Sequence, residues 1–316
     1  MQAVARRREN TIIFGLITVA AIVLLGFMYL NAPAFFRVNN LVNVLVQTSV
    51  LALLAIGMSF VLIGGGIDLS LPAVLAFSAI IGVIAMQTTQ IALIGPIVML
   101  VVGAALGAFN GTAVAYFGMA PFVVTLATMT VVGGASVWIT GSQSVSGYPL
   151  IFDDVIRFRL LNLPMLVWIT AAITIVATAV VGRGAFGRQI KAVGLNPRAA
   201  LIARMDVKRI ILSTYVLSGC FAAITGVFLV ARLGSASANI GNDSLLLDII
   251  SACVIGRVSI YGGIGSPVHA VIGALFVTLI SNSMNQLGAS YFASLIVKGI
   301  LIIIFVYLDQ ALRRKA

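Results

Sequence analysis

The sequence predicts an all-α polytopic membrane protein with about ten transmembrane segments, some of them broken or re-entrant. Three observations lead there. Of the 316 residues, 61% are hydrophobic and only 9% are charged; apolar runs near 20 residues recur along the chain; and the basic residues cluster at the ends of those runs. A soluble domain carries roughly a quarter charged residues. A bilayer-spanning helix uses about 20 apolar residues, so ten use about 200. The longest stretch suited to water, about 183–209, is far shorter than a soluble domain, so residues 1–316 read as one integrated transmembrane domain.

The first run, 11–31, follows Arg6, Arg7 and Arg8 and ends at Ala32-Pro33-Ala34, like a signal peptide with its cleavage site. It is too long for a signal-peptide core, and Pro33 is a poor cleavage context, so it reads as an uncleaved first helix. Further runs fall at 41–63, 71–87, 91–117, 121–140, 164–182, 210–231, 245–256, 268–287 and 289–308. In the fourth, Gly103, Ala104, Ala105, Gly107, Ala108 and Gly111 predict close helix packing. The eighth is too short to span alone. A glycine-rich stretch ending at Ser266-Pro267 follows it, so a break is expected there, tolerated only where protein covers the free backbone.

Orientation follows from Lys and Arg. With ten crossings and the N-terminus inside, fourteen of the 19 basic residues face inward, including the group from Arg183 to Arg209, Arg257, and Arg313, Arg314 and Lys315. Four (Arg37, Arg157, Arg159 and Arg232) face outward, so both termini are expected in the cytoplasm. The same placement argues against nucleic acid as the partner of a chain with net charge +11, because the charge marks loops rather than a groove. Cys220 and Cys253 lie in apolar runs and read as small buried hydrophobes, and one histidine, His269, makes an imidazole metal site improbable.

Two glycine-rich breaks echo each other. Gly65-Gly66-Ile67-Asp68-Leu69-Ser70 precedes Pro72, and Gly262-Gly263-Ile264-Gly265-Ser266 precedes Pro267. Matching breaks in two halves suit a transporter built from repeats, while similarity between Gly/Ile/Val-rich segments also arises by chance.

Ionisable residues at membrane depth are costly and are functional candidates. Asp68 either orients backbone or lines the path in its glycine-rich break, or caps the helix that begins near Leu71. Lys298, about ten residues into the last run, either pairs with a carboxylate such as Asp68 or Asp248 or snorkels. Gln47, Asn110, Asn282, Asn285 and Gln286 place amides inside apolar runs, with Asn282 and Asn285 on one face; such groups suit sugar hydroxyls or bonds between helices. Ser266 and His269 could share a helix face as a hydrolase would need, but with no oxyanion arrangement and Pro267 beside Ser266 they read as a polar cap at a helix start. No phosphate-binding loop of the G-x-x-x-x-G-K-[ST] form is present. In the inner loop, Asn196 can cap a short helix with Pro197 at its first position, continued by Ala199, Ala200 and Leu201. Such a helix suits either an interfacial position or docking into a partner's groove.

An ordered series of motifs then carries a resemblance. It comprises Gly57-Met58-Ser59-Phe60-Val61 leading to Gly65 through Ser70, Pro121-Phe122-Val123-Val124-Thr125-Leu126, Gly187-Arg188 through Gly194-Leu195-Asn196 to Ala199-Ala200, Ala231 through Ala236, Tyr261 through Ser266, and Ile296-Val297-Lys298-Gly299. Over about 39–309 the chain resembles the ribose-type sugar permeases of bacterial ABC importers, in the branched-chain amino acid/ribose permease superfamily. The resemblance implies a multi-pass, non-enzymatic permease of the bacterial inner membrane that carries a monosaccharide or related polyol by alternating access. Its expected partners are a second permease copy or paralogue, a cytoplasmic ABC ATPase that binds ATP and Mg in place of this chain, and a periplasmic sugar-binding protein. Gly187, Arg188, Gly194, Asn196, Ala199 and Ala200 would then form the ATPase-coupling loop. Asp68, Asn110, Phe122, Thr125, Asn282, Asn285 and Lys298 are the translocation-pathway candidates; no catalytic or metal residue is expected. Two departures stand out: Gly256-Arg257-Val258 where the family has a Gly-Gly-Thr-like run, and Leu71-Pro72 after Ser70. Arg257 adds bulk and charge to a tight turn and would fit a specialised partner in a heterodimer. The alternative function is an ion-coupled secondary transporter or channel for a small polar solute, using Asp68 and Lys298.

Overall fold

The computed structural model describes residues 2–241 and 243–313, so the terminal Arg314 and Lys315 lie outside the described residues. The apolar runs form helices: α1 (Gln2–Asn31), α2 (Val38–Ile63), α3 (Leu71–Thr89), α4 (Ile94–Ala115) and α5 (Pro121–Thr140) come first. A short α6 (Leu150–Ile156) and a hairpin of β1 (Arg159–Leu160) and β2 (Leu163–Pro164) lead into α7 (Met165–Arg183). Then come α8 (Ala185–Leu195), α9 (Pro197–Ile202), α10 (Val207–Leu233), α11 (Asp243–Ile255), α12 (Pro267–Gln286) and α13 (Tyr291–Arg313). Among the described residues, eight segments are long and apolar enough to cross a membrane; those of α1 and α13 that qualify as apolar, Thr18–Asn31 and Tyr291–Leu301, are shorter.

Local chemistry sets the boundaries. Pro121, Pro197 and Pro267 each stand at the first position of a helix, where the missing N–H costs nothing, and Pro72 lies in the first turn of α3. Helices α5 and α10 end on left-handed Gly141 and Gly234, the usual glycine stop. In the hairpin, Arg159 pairs with Pro164 and Leu160 with Leu163, and both turn residues, Leu161 and Asn162, have positive φ, as a tight two-residue turn requires.

Helix α2 is the centre. Every residue from Thr48 to Ile63 is buried, as a helix apolar on all sides demands, and α10, α12, α11 and α7 pack around it. Of the six small residues predicted to bring helices together, the three glycines face α10, while Ala105 is exposed. A Cβ on Gly103 would collide with the Gly219 carbonyl, one on Gly107 with the Tyr215 carbonyl, and one on Gly111 with Leu212. Without a hydrophobic drive between helices in lipid, such close approach is what holds them.

The chain breaks after α11 at the glycine-rich stretch, as expected, but the segment before it starts earlier than its apolar run and is not too short to span. A 3-10 turn, Ala238–Gly241, precedes α11 and rests on the start of α3, where a Cβ on Gly241 would overlap the Pro72 carbonyl. Counted from Ala238, the stretch to Ile255 is 18 residues, enough to cross. The inner loop departs from expectation: α8 occupies most of what reads as loop, beside the short helix anticipated at Pro197. The far ends are tied as well. Val145 and Ala236 exchange backbone hydrogen bonds of 2.7 and 2.8 Å, and at the opposite end Lys208 lies 5.4 Å from the centre of the Tyr116 ring.

Replacing Gly107 with Leu is expected to destabilise the protein by about 1–3 kcal/mol through overpacking against α10. Thermal unfolding in detergent checks this, with Gly299→Ala, where a Cβ meets nothing within 4 Å, expected to unfold as the wild type does.

Candidate functional site

The two glycine-rich breaks meet in space. The Gly263 N–H donates to the Ile63 carbonyl at 2.8 Å, joining the end of α2 to the loop between α11 and α12. Gly65, Gly262 and Gly263 all have positive φ, which a side chain would strain. Gly194, at the end of α8, fills the space between them: a Cβ there would overlap the Ile63 carbonyl on one side and the Gly263 amide on the other. Leu195 lies against Gly263. The end of α8 therefore bears on both halves of the chain through backbone.

The rest of α8 and α9 divides into inward and outward residues. Gly187 is buried and lets the start of α8 approach the Val180 and Val181 carbonyls; Ala200 is buried as well. Asn196 caps α9 as expected, its side chain accepting from the Ala199 N–H at 3.0 Å. Arg188 is exposed and donates to the Arg183 carbonyl at 2.9 Å. Ala199 is exposed, with Leu195, Leu201 and Ile202, and Ile202 is 85% exposed. Sequence reasoning placed Leu201 on this helix but did not single out Ile202 or tell inward from outward residues, because a short helix of Pro-Arg-Ala-Ala-Leu-Ile has no periodicity long enough to assign its faces.

Next to the junction lies a buried polar cluster. Asp68 is 2% exposed and accepts three hydrogen bonds: from the Ser70 N–H at 3.1 Å, the Ser70 hydroxyl at 2.6 Å and the Ser218 hydroxyl of α10 at 2.8 Å. Ser70 in turn accepts from the Asn110 side chain of α4 at 2.8 Å, and Asn110 accepts from the Thr128 hydroxyl of α5 at 2.6 Å. Asp68 is thus not the cap of α3, because the N–H it holds belongs to Ser70, before the helix begins. Thr125 is fully buried beside the same loop, its hydroxyl bonded within α5 to the Pro121 carbonyl at 2.9 Å. Ser70, Thr128 and Ser218 were not singled out from sequence; small hydroxyl residues in apolar helices carry no local signal.

The remaining pathway candidates lie elsewhere. Asn282 is buried and pairs with Asn40 through two hydrogen bonds, 2.9 and 3.1 Å, which Gln286 joins at 2.9 Å, while Asn285 is exposed. Phe122 is 55% exposed on α5. Lys298 pairs with Asp248 at 2.8 Å, fastening α13 to α11 instead of snorkelling. Arg257 keeps the glycine-type turn of its surroundings, with φ +58, at a cost of about 1–2 kcal/mol. Ser266 precedes α12, its carbonyl accepting from the His269 N–H at 3.0 Å.

A family described as the branched-chain amino acid transport system permease component matches residues 40–306. The chain is similar to the ribose import permease protein RbsC of Escherichia coli K12, 35% identical over 296 residues and 92% of each chain. It is also similar to the D-allose transport system permease protein AlsC of the same organism, 33% identical over 95% of this chain and 92% of that one. The galactose/methyl galactoside import permease protein MglC of that organism is 33% identical over 94% of both chains. No solved structure matches.

Losing one partner of a part-buried ion pair strands the other. Lys298→Met is therefore expected to destabilise by about 3–5 kcal/mol, and the double change with Asp248→Leu by clearly less. Melting temperatures of the four species in detergent check this. Asp68→Ala, which leaves three donors unsatisfied, is expected to cost at least about 1–3 kcal/mol by the same measurement, more than Ser218→Ala.

Proposed function

The chain belongs to the branched-chain amino acid transport system permease-component family, and from that membership we propose that it forms the membrane pathway of an ATP-driven importer for a monosaccharide or related polyol. It is a multi-pass protein of the inner membrane. ATP and Mg belong to a separate cytoplasmic ATPase, a second permease copy or paralogue completes the pathway, and a periplasmic binding protein delivers the sugar. The termini and the α8–α9 segment face the cytoplasm, in keeping with the distribution of Lys and Arg.

The observation that carries this reading is the seating of Gly194 between the two glycine-rich loops, with Leu201 and Ile202 exposed on the adjoining α9. Exposed apolar side chains on a short helix outside the membrane suit insertion into a partner's groove. Displacing α8 then moves the ends of α2 and of α11–α12 together, since no side chain lies between them to absorb the motion. That is how a push at one face can switch access from one side of the membrane to the other. Asp68, Ser70, Asn110, Thr128 and Ser218 transmit the loop's position to α4, α5 and α10. Of the two groups that ion coupling would use, Lys298 is engaged by Asp248 and Asp68 by Ser70 and Ser218, which favours the ATP-driven reading.

Affinity purification of the tagged chain from native membranes in mild detergent is expected to recover an ATPase with a phosphate-binding loop. Recovery of the chain alone, still able to move sugar after ATP depletion, would overturn the reading. Ile202→Asp is expected to lower recovery of the ATPase by about tenfold, ~1.4 kcal/mol, without changing the melting temperature. Gly194→Ala is expected to abolish uptake while the ATPase is still recovered, because the seat is intact and the transmission is jammed.

A further inference from the structure

A cleft of about 1080 Å³ opens between the start of α2, the β1–β2 hairpin, the start of α7 and the end of α10. Its composition is split. Three guanidinium groups, Arg157, Arg159 and Arg232, line it together with Asn39 and Asn43. Its other wall is apolar, formed by Val42 and Val46 of α2, Leu166 of α7 and Phe228 of α10. The cationic groups are only partly neutralised. Arg157 pairs with Asp153 at 3.0 Å, and Arg232 donates to the Asn43 side chain at 3.0 Å, a neutral acceptor. Arg159 has no ion pair or side-chain hydrogen bond among the described residues, and the neighbouring Asp154 pairs with none of the three.

The cleft also lies at a definite depth. It is bounded by the termini of three spanning helices, so it sits where hydrocarbon gives way to headgroups. The hairpin beside it exposes Leu160 and Leu161, the latter 77% exposed, and Trp168 donates its indole N–H to the Leu160 carbonyl at 3.1 Å. Exposed leucines and a tryptophan with its polar edge satisfied are characteristic of a segment resting in the membrane interface. The N-terminus of α2, which no side chain caps, opens onto the cleft at Val38 and Asn39 and adds to its positive potential.

We propose that this cleft binds an anionic phospholipid, its phosphate held by Arg159 and Arg232 and its acyl chain laid along Val42, Val46, Leu166 and Phe228. A neutral sugar would leave the arginines uncompensated and the apolar wall wet. An acidic loop of a soluble partner would satisfy the arginines but not the apolar depth or the lipid-facing hairpin. An anion with a hydrocarbon tail satisfies all of them. This inference rests on the chain spanning a bilayer and not on its cargo or energy source, so either reading can fail without the other.

The test is retention of defined lipids by the intact purified transporter, measured by native mass spectrometry after exchange into phosphatidylglycerol or phosphatidylcholine. The wild type is expected to keep phosphatidylglycerol over phosphatidylcholine by about tenfold, and Arg159→Ala/Arg232→Ala to lose that preference, in line with the attraction of an anionic lipid to each arginine. Phe228→Trp, which fills the apolar wall and leaves the arginines in place, is expected to reduce retention of both lipids. That variant keeps the proposal testable should the double arginine variant fold poorly. Equal retention of the two lipids, or a preference unchanged by the arginine variant, would overturn the proposal. Displacement of the lipid by millimolar inorganic phosphate would overturn it in favour of a simple anion site. Weakened docking of the binding protein with lipid retention intact would overturn it in favour of an acidic partner.

Discussion

Two stretches of backbone from opposite halves of the chain touch at one residue, Gly194, and the arrangement of that end of the molecule depends on the contact. The Ile63 carbonyl and the Gly263 amide are joined at 2.8 Å, and Gly194 closes over them with no room for a methyl group. Backbone-to-backbone contact is stiff in a way that side-chain contact is not, because no rotamer can relax to absorb a displacement. Whatever moves α8 therefore moves the end of α2 and the loop before α12 as one body. The glycines at 65, 262 and 263, each with positive φ, are what let the two loops turn sharply enough to meet there.

The polar cluster around Asp68 extends that rigidity upward. A carboxylate taken out of water is costly unless donors surround it, and here three hydrogen bonds from Ser70 and Ser218 do so, with no ion pair among the described residues. The bonds run from the loop to α10 through Ser218, and to α4 and α5 through Asn110 and Thr128. A fully satisfied buried network holds one geometry strongly, since any shift strands a donor. The close α4–α10 seam, with Gly103 against Gly219, keeps those two helices near enough for the network to close. Small residues and buried polar bonds thus act together, where lipid offers no hydrophobic drive.

Much of this was legible beforehand, for reasons that differ from residue to residue. The spanning helices follow from apolar run length, which depends on bilayer thickness and little else. Gly103, Gly107 and Gly111 announced a close helix contact through their spacing, though not that α10 would be the partner. Asn196-Pro197 announced a helix start, because capping is a local bond over three residues. The two glycine-rich breaks were recognisable as an echo, yet their contact was not. Ser218 could not be joined to Asp68 from sequence, since 150 residues separate them and serine is unremarkable in a membrane helix. Likewise the candidate residues do not share one place: Asp68, Asn110 and Thr125 gather around one loop, Asn282 bonds Asn40 elsewhere, and Lys298 belongs with Asp248.

By itself, the sequence determined that this chain is a polytopic helical membrane protein, where helices such as α5, α9 and α12 begin, and, through its ordered motifs, the family to which it belongs. Each of those is decided by composition or by bonds between near neighbours. Only the tertiary structure decided that Gly194 is wedged between two halves, that Ala200 turns inward while Leu201 and Ile202 turn outward, and that Arg157, Arg159 and Arg232 converge on one cleft. These are contacts between segments tens to hundreds of residues apart. They follow from how helices pack around α2, which no local pattern of residues encodes.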